Sequence, residues 1–423
     1  MAIASNNLAG ASDGEDDGNG AAARRGPLAG VRVVELAGRG PGPFGVMVLA
    51  DLGADVVRVA RVEDVAAGDD ESATERALRG HRRFDLVTRG RPSVALDLKH
   101  PDGVAAALRL VDAADVLVEG FRPGVAERLG LGPDMCLGRN PRLVYARMTG
   151  FGQDGPYAKA PGHDINYVAL AGALEPLRRP GQPPAPPLNL LGDYGGGGML
   201  LVVGVLAALV ERAVSGRGQV VDAAMVDGVA LLTTLLHGMR AEGSWSADPG
   251  SNILGLAAPF YNVYETADGR HVAVGAGEHQ FYARLLALIG LEDGEDKDLI
   301  RQQSDPATWP ATKERLAAVF RTRTLDEWSK LLEGTDTCFT PVLTPAEAAR
   351  HPHNVARGTF VEVDGVVQPA PAPRFSRTPA GPAGRPTSAG EHTRAALLAW
   401  GFAEAEVDVL LAAGAARQAG GVE

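Results

Sequence analysis

Cysteine is nearly missing from this chain: of 423 residues only Cys136 and Cys338 carry thiols. They lie far apart, with no CxxC pair and no histidine at ligand spacing, so neither a disulfide framework nor a zinc site is indicated. Such sparing use of thiols fits a reducing cytosol, and a cytoplasmic location is expected. Aromatic residues are scarce at 5% against 45% hydrophobics, so the core has to be built mainly from Ala, Val and Leu, as in helix-covered parallel sheets. Basic runs are lacking as well. With Lys+Arg 41 and Asp+Glu 52 the formal charge is −11, and no stretch could follow a phosphodiester backbone, which argues against nucleic acid. Long apolar runs are also few. The most apolar stretch, Met199 to Val210, ends at Glu211 and Arg212, about a dozen residues where a membrane span needs ~20. A buried helix is expected there, and no membrane contact. The first 25 residues, rich in Asn, Gly and Asp and without the pattern of a signal peptide, read as a disordered tail.

What is present is a chain long enough for two or three domains, with glycine (54) and proline (29) supplying many turns. Val31 to Leu36 reads as a strand, Phe44 to Leu52 as a helix capped by Gly53, and Asp55 to Arg61 as a second strand. Together they have the length and order of a βαβ unit. Residues 62–92 offer no assignable element. Val94 to Leu98, Gly103 to Ala113 and Val116 to Val118 give a second repeat, and Val144 to Met148 a further strand before a long loop, Thr149 to Tyr167, of the kind that is usually functional. A helix from Met199, a strand from Val220 to Met225 and a helix from Val229 to Met239 complete a large unit. Pro259 to Glu265 and His271 to Gly275 read as a hairpin backed by helices at Gln280 to Ile289 and Trp309 to Phe320. From Gln368 a Pro-rich segment reads as an extended strap, followed by helical character from Thr393 to Ala412. The fold class is therefore α/β: a Rossmann-like large domain with a parallel sheet over 26–240, a smaller α+β domain over 241–350, and a C-terminal strap and helices over 351–423 returning to the large domain.

Several residues stand out chemically. The turn Gly38-Arg39-Gly40-Pro41-Gly42-Pro43 sits where a dinucleotide fingerprint would, but its prolines remove the backbone donors such a site needs. Arg61, at the end of the second strand, suits an additional phosphate on a ribose or is an ordinary surface residue. Gly120 and Arg122 in EGFRPG face the carboxyl edge of the sheet, where arginines and helix-start N–H groups attract phosphate, and Arg128 follows six residues on; the alternative is solvated charge. His163 lies in the loop PGHDINY outside any apolar period, either a turn element or a base. Asp193 precedes four glycines, Gly195 to Gly198. Helix capping is the ordinary account of it; because a cap does not need four glycines, close approach of a ligand or thioester is the better one. Glu278, in GAGEHQFY, carries no weight alone.

The strings LAGVRVVELAG, ADLGADVVRV, SVALDLK, DVLVEGFRPGVAERLGLG, ARMTGFGQDGP, PGHDINY, NLLGDYGGGG, SGRGQVVDAAMVDG, YETADGRHVAVGA and PAPRFSR run in order through most of the chain. Together they resemble the α-methylacyl-CoA racemases, a branch of the family III CoA-transferases. The resemblance implies two subunits interlocked like chain links, a homodimer with each active site between the large domain of one and the small domain of the other. It implies catalytic roles for His163, Asp193 and Glu278, and CoA-binding positions at Arg61, at Leu96, Asp97, Leu98 and Lys99, at Gly120, Phe121 and Arg122, at Arg128, and at Gly162, Asp164, Ile165, Asn166 and Tyr167. The substrate would be a 2-methyl-branched acyl-CoA, whose CoA belongs to the substrate, with no separate cofactor and no metal.

The residue types suit that chemistry. Racemising a 2-methylacyl thioester removes the α-proton from one face and returns a proton to the other, which needs two acid/base groups, here His163 and Asp193 acting as a coupled pair. Glu278 would orient the imidazole, and the main-chain N–H of Asp164 would meet the enolate oxygen. A helix start should lower the Asp193 pKa, opposing its use as an acid unless apolar surroundings offset this. The alternative is CoA transfer between carboxylic acids through an acyl anhydride on Asp193.

Overall fold

The computed structural model describes residues 25–420 except 67–83, 180, 249–250, 294–295 and 297. The expected tail lies almost wholly outside the described residues, and so does the middle of the 62–92 stretch.

Six strands run parallel: β1 (Arg32–Leu36), β2 (Asp55–Arg61), β3 (Ser93–Leu96), β4 (Val116–Glu119), β5 (Val144–Thr149) and β6 (Gln219–Ala224). Their order in the sheet is 3-2-1-4-5-6, the doubly wound arrangement whose strand order reverses between β1 and β4. Alternation along β1 sends successive side chains to opposite faces. Val34 joins a core with Leu110 of α2 (Pro101–Asp112), whereas Val33 joins another with Leu49 of α1 (Pro41–Asp51). Both faces are thus covered, as an Ala/Val/Leu-rich parallel sheet requires. Helix α1 begins three residues earlier than the sequence reading, because Pro41 and Pro43 fit a first turn whose N–H groups have no helical partner.

Beyond β5 the chain forms α3 (Asp164–Leu170), so the expected loop closes sooner than Tyr167. A wide, π-type helical segment, Leu190–Met199, runs straight into α4 (Leu200–Ser215). After β6 come α5 (Met225–Leu232) and α6 (Thr234–Glu242), two helices where one was expected. The helix expected to be buried after Met199 is only partly so. The continuous stretch Leu190–Ser215 is long and apolar enough to cross a membrane: an 18-residue window within it has a mean hydropathy of 1.9, and only 33% of that window is buried.

The small unit is a three-stranded antiparallel sheet, β7 (Tyr261–Glu265), β8 (His271–Gly275) and β9 (Phe339–Pro341). It packs on α7 (His279–Ile289), α8 (Trp309–Phe320) and α9 (Leu325–Leu332) through Tyr264, Tyr282, Phe320 and Trp328. A further hairpin, β10 (Phe360–Val363) with β11 (Val366–Pro369), occupies residues read from sequence partly as strap. The chain then crosses the large unit: Gly90 N–H donates to the Arg385 carbonyl at 3.0 Å, and Thr387 Oγ1 to the Arg91 carbonyl at 2.7 Å. Helices α10 (Thr393–Ala399) and α11 (Glu404–Ala412) bury Leu397 and Val407 on the α2 side of the sheet. Strand β12 (Ala416–Arg417) adds antiparallel to β3.

Candidate active site

In an open parallel sheet, ligands sit beyond the carboxyl ends of the strands where the order reverses. Three turns meet that edge: Gly38–Gly40 after β1, Gly120–Gly124 after β4, and the loop from Gly150 to His163 after β5.

His163 immediately precedes α3 in extended backbone, its side chain exposed. Its N–H donates to Asn166 Oδ1 at 3.0 Å and its carbonyl accepts from Asn166 N–H at 2.8 Å. Asn166 therefore fixes where the histidine leaves the helix, and its amide oxygen is already occupied. Asp164, the first residue of α3, is buried, and its Oδ1 accepts the Asp193 N–H at 2.7 Å. As the helix opens there, the Asp164 N–H has no carbonyl one turn back to receive it.

Asp193 is half-buried in the first turn of the wide helical segment. Burial pushes its carboxyl above the ordinary aspartate range. A hydrogen bond from Asn189 Nδ2 to Oδ2 at 3.2 Å works the other way, the Asp164 charge adds to the rise, and His163 lowers it. The expected lowering by a helix start is outweighed by burial, the offset that use of Asp193 as an acid calls for. His163 and Asp193 share one site, close enough to feel each other's charge. Gly40, at φ 70°, leaves the side of Asp193 open; a Cβ there would stand 3.4 Å from Oδ2.

The glycine run has a different cause from the one expected. A Cβ at Gly196 would lie 2.7 Å from the Val229 nitrogen, at Gly197 2.8 Å from the Gly192 carbonyl, and at Gly198 2.7 Å from the Pro41 carbonyl. Gly196 admits the backbone of α5, Gly198 that of α1, and Gly197 the turn of its own segment at Gly192.

Tyr167 ties the acid/base pair to the β4 turn. Its ring fills the space left by Gly150 and Gly162, where a Cβ would approach within 2.2 and 2.8 Å. Burial pushes its hydroxyl up to about 12, Asp193 adds to the rise, and Arg122 pulls it back. Gly120 and Arg122 are exposed, while the Phe121 N–H donates to Glu119 Oε2 at 2.6 Å. Glu119 is buried and pairs with Arg147 at 2.8 Å, which also holds Glu127 at 2.9 Å. This anchored network sets the turn that presents Arg122, and no motif pointed to it. Arg128, exposed, ends the short helix Val125–Arg128. Ile165 is exposed beside His163.

The other expected positions divide. Arg61 is exposed and paired with Asp64 at 3.1 Å. Lys99 is exposed, 3.5 Å from Glu63, and its N–H donates to Asp97 Oδ1 at 2.9 Å. Leu98 packs partly buried against the core. Leu96 is corrected as a side-chain contact: it is 0% exposed, sealed in the core under β12. Glu278 precedes α7 in the small unit beside Cys338, whose thiol is raised by burial and by the Glu278 charge. No described hydrogen bond or ion pair brings Glu278 to His163. Sequence reasoning missed Asn189, although its i,i+4 spacing to Asp193 in NLLGD was the available signal.

A model of CoA-transferase family III matches residues 28–393. The chain belongs to that family. It is 49% identical over 383 residues to alpha-methylacyl-CoA racemase of Mus musculus, covering 90% of this chain and 95% of that protein. With alpha-methylacyl-CoA racemase of Homo sapiens it shares 44% over 384 residues, again covering 90% and 95%. Among solved structures, a CaiB/BaiF family protein from Brucella suis superposes with a TM-score of 0.72 at 27% identity, covering 89% of this chain and all (100%) of that one.

Proposed function

We propose that this family III protein is an isomerase, an α-methylacyl-CoA racemase that interconverts (R)- and (S)-2-methylacyl-CoA thioesters by 1,1-proton transfer. The observation that carries the reading is that Asp164, directly after His163, accepts the Asp193 N–H at 2.7 Å, which seats the histidine beside a carboxyl raised by burial. In one direction neutral His163 takes the α-proton and protonated Asp193 delivers its own to the opposite face; in the other, Asp193 takes the proton and the imidazolium returns one. The proton count of the enzyme is the same before and after. The enolate oxygen formed between the steps meets the Asp164 N–H. Because the thioester itself acidifies the carbon, the chemistry needs no metal or redox group.

The CoA phosphates take the cationic rim of Arg61, Lys99, Arg122 and Arg128, with the β4 turn as the central contact. The protein works as an interlocked homodimer in the cytoplasm, with Glu278 of the partner subunit orienting His163. Support for a second copy comes from the apolar side chains left in water: Val203, Val210 and Val214 of α4 are 59%, 70% and 89% exposed, and Leu231 and Leu235 of α5 and α6 are 62% and 63% exposed. A single-chain surface rarely leaves so large an apolar band open. Membrane insertion suits the band poorly, since the segment holds Asp193 and its glycines press against α1 and α5.

Incubation of either epimer of a 2-methylacyl-CoA in deuterated water, without an acceptor acid, should give α-deuteration with inversion. Absence of exchange, together with CoA transfer to an added carboxylate and an aspartyl adduct trapped by hydroxylamine, would establish the transferase alternative instead.

A further inference from the structure

The proposed mechanism uses Asp164 only through its main-chain N–H, yet the side chain is built into the site. It is 7% exposed. Its Oδ1 reaches across to another element to take the Asp193 N–H at 2.7 Å. Its Oδ2 is buried and has no hydrogen-bond partner among the described residues. The approach depends on Gly192, where a Cβ would stand 2.4 Å from Asp164 Oδ1. Burying a carboxylate with one oxygen unsatisfied is costly. A neutral asparagine could accept the same N–H without burying a charge, so the structure retains something that hydrogen bonding alone does not require.

We propose that the Asp164 side chain is a positioning residue for Asp193: Oδ1 fixes the wide helical turn that aims the Asp193 carboxyl, and the neighbouring Asp164 carboxylate favours the protonated form of Asp193. Two carboxyl groups this close resist being ionised together. The surroundings of Asp193 supply few competitors. Asn189 donates to its Oδ2, and α3 contributes His163 and Tyr167. Asp51 of α1 is paired with Arg89, and Arg147 of β5 with Glu119. Asp222 of β6 accepts the Gln153 N–H and senses Asp227 of α5. Asp164 is the group whose negative charge bears on Asp193.

This rests on Asp193 being one of the two acid/base groups, and the test separates the two ideas. Asp164→Asn keeps the shape and the acceptor oxygen but removes the charge. In protein carrying 13C-carboxyl aspartate, the Asp193 resonance, assigned by its loss in Asp193→Asn, is expected to titrate lower in Asp164→Asn than in the parent by about half a pH unit or more. In the exchange assay the acid limb of kcat/KM should move the same way and kcat fall several-fold, while KM for the acyl-CoA stays within about twofold. An unmoved Asp193 midpoint overturns the proposal. The resonance needs no turnover, so a parent protein that fails to exchange α-protons sinks the racemase reading without deciding this one. Gly192→Ala, which crowds Oδ1 off the Asp193 N–H and keeps the charge, is the second variant: kcat should fall with KM held, and an unchanged kcat overturns the positioning role.

Discussion

Asp193 illustrates how a single residue's environment decides its use. At an exposed helix start it would be an ordinary cap, ionised at neutral pH and useless as a proton donor. Within a half-buried helical turn, desolvation followed by the Asp164 charge raises its carboxyl, bringing it nearer to a histidine partner, which is what reversible proton exchange between the two requires. The sign for pH dependence follows. As pH falls through the raised Asp193 pKa, both groups hold protons and no base remains, so kcat/KM should drop on the acid side at a pH above the range of an unperturbed aspartate, near 3.9. A pH profile of the exchange rate checks this; an acid limb at or below that range would contradict the burial account. The residue types at 163, 193 and 278 were legible in the sequence. The upward shift of the Asp193 carboxyl was not, because it depends on a burial and a neighbour, Asp164, that only the folded chain brings together.

At the scale of elements, β-branched runs and helical spacing located most strands and helices of the sheet, since period-2 and period-3.6 burial are local properties. The failures have non-local causes. Strand β12 is two residues long and exists because β3 offers an edge. The β10–β11 hairpin is an exception, since its Asp364-Gly365 turn between β-branched residues was a local signal that the neighbouring Pro-rich run masked. The glycine run was read as room for a ligand, and the role the sequence hid is packing: at Gly196 and Gly198, α5 and α1 press their backbones onto the wide segment. Gly198→Ala would bring a methyl within 2.6 Å of Phe44 Cδ1 and 2.7 Å of the Pro41 carbonyl. Overpacking of that kind costs about 1–3 kcal/mol, so thermal unfolding should show Tm lowered by several degrees. An unchanged Tm would mean that the contact is softer than the geometry indicates. Because Pro41 opens α1 directly after the Gly40 turn facing Asp193, the same substitution should also lower exchange.

On the scale of the whole molecule, the doubly wound strand order places the turns after β1, β4 and β5 at one edge, and the acid/base pair and the arginine-bearing turn both fall there. Composition pointed to that architecture, because a chain poor in aromatics and rich in Val and Ala suits a sheet covered on both faces. It did not reveal how much of α4 to α6 would stand open, since a helix that is apolar all round reads the same whether its own chain or a second copy covers it. Among the described residues no hydrogen bond or ion pair joins Glu278 of the small unit to His163. The central claim, however, concerns opposite faces of one carbon, and single-base variants test it most directly. With each pure epimer in deuterated water, His163→Ala should still exchange the α-proton of the epimer that faces Asp193, without inversion, and lose exchange of the other; Asp193→Asn should show the reverse preference. Loss of exchange from the same epimer in both variants, or inversion surviving in either, would contradict a two-base site.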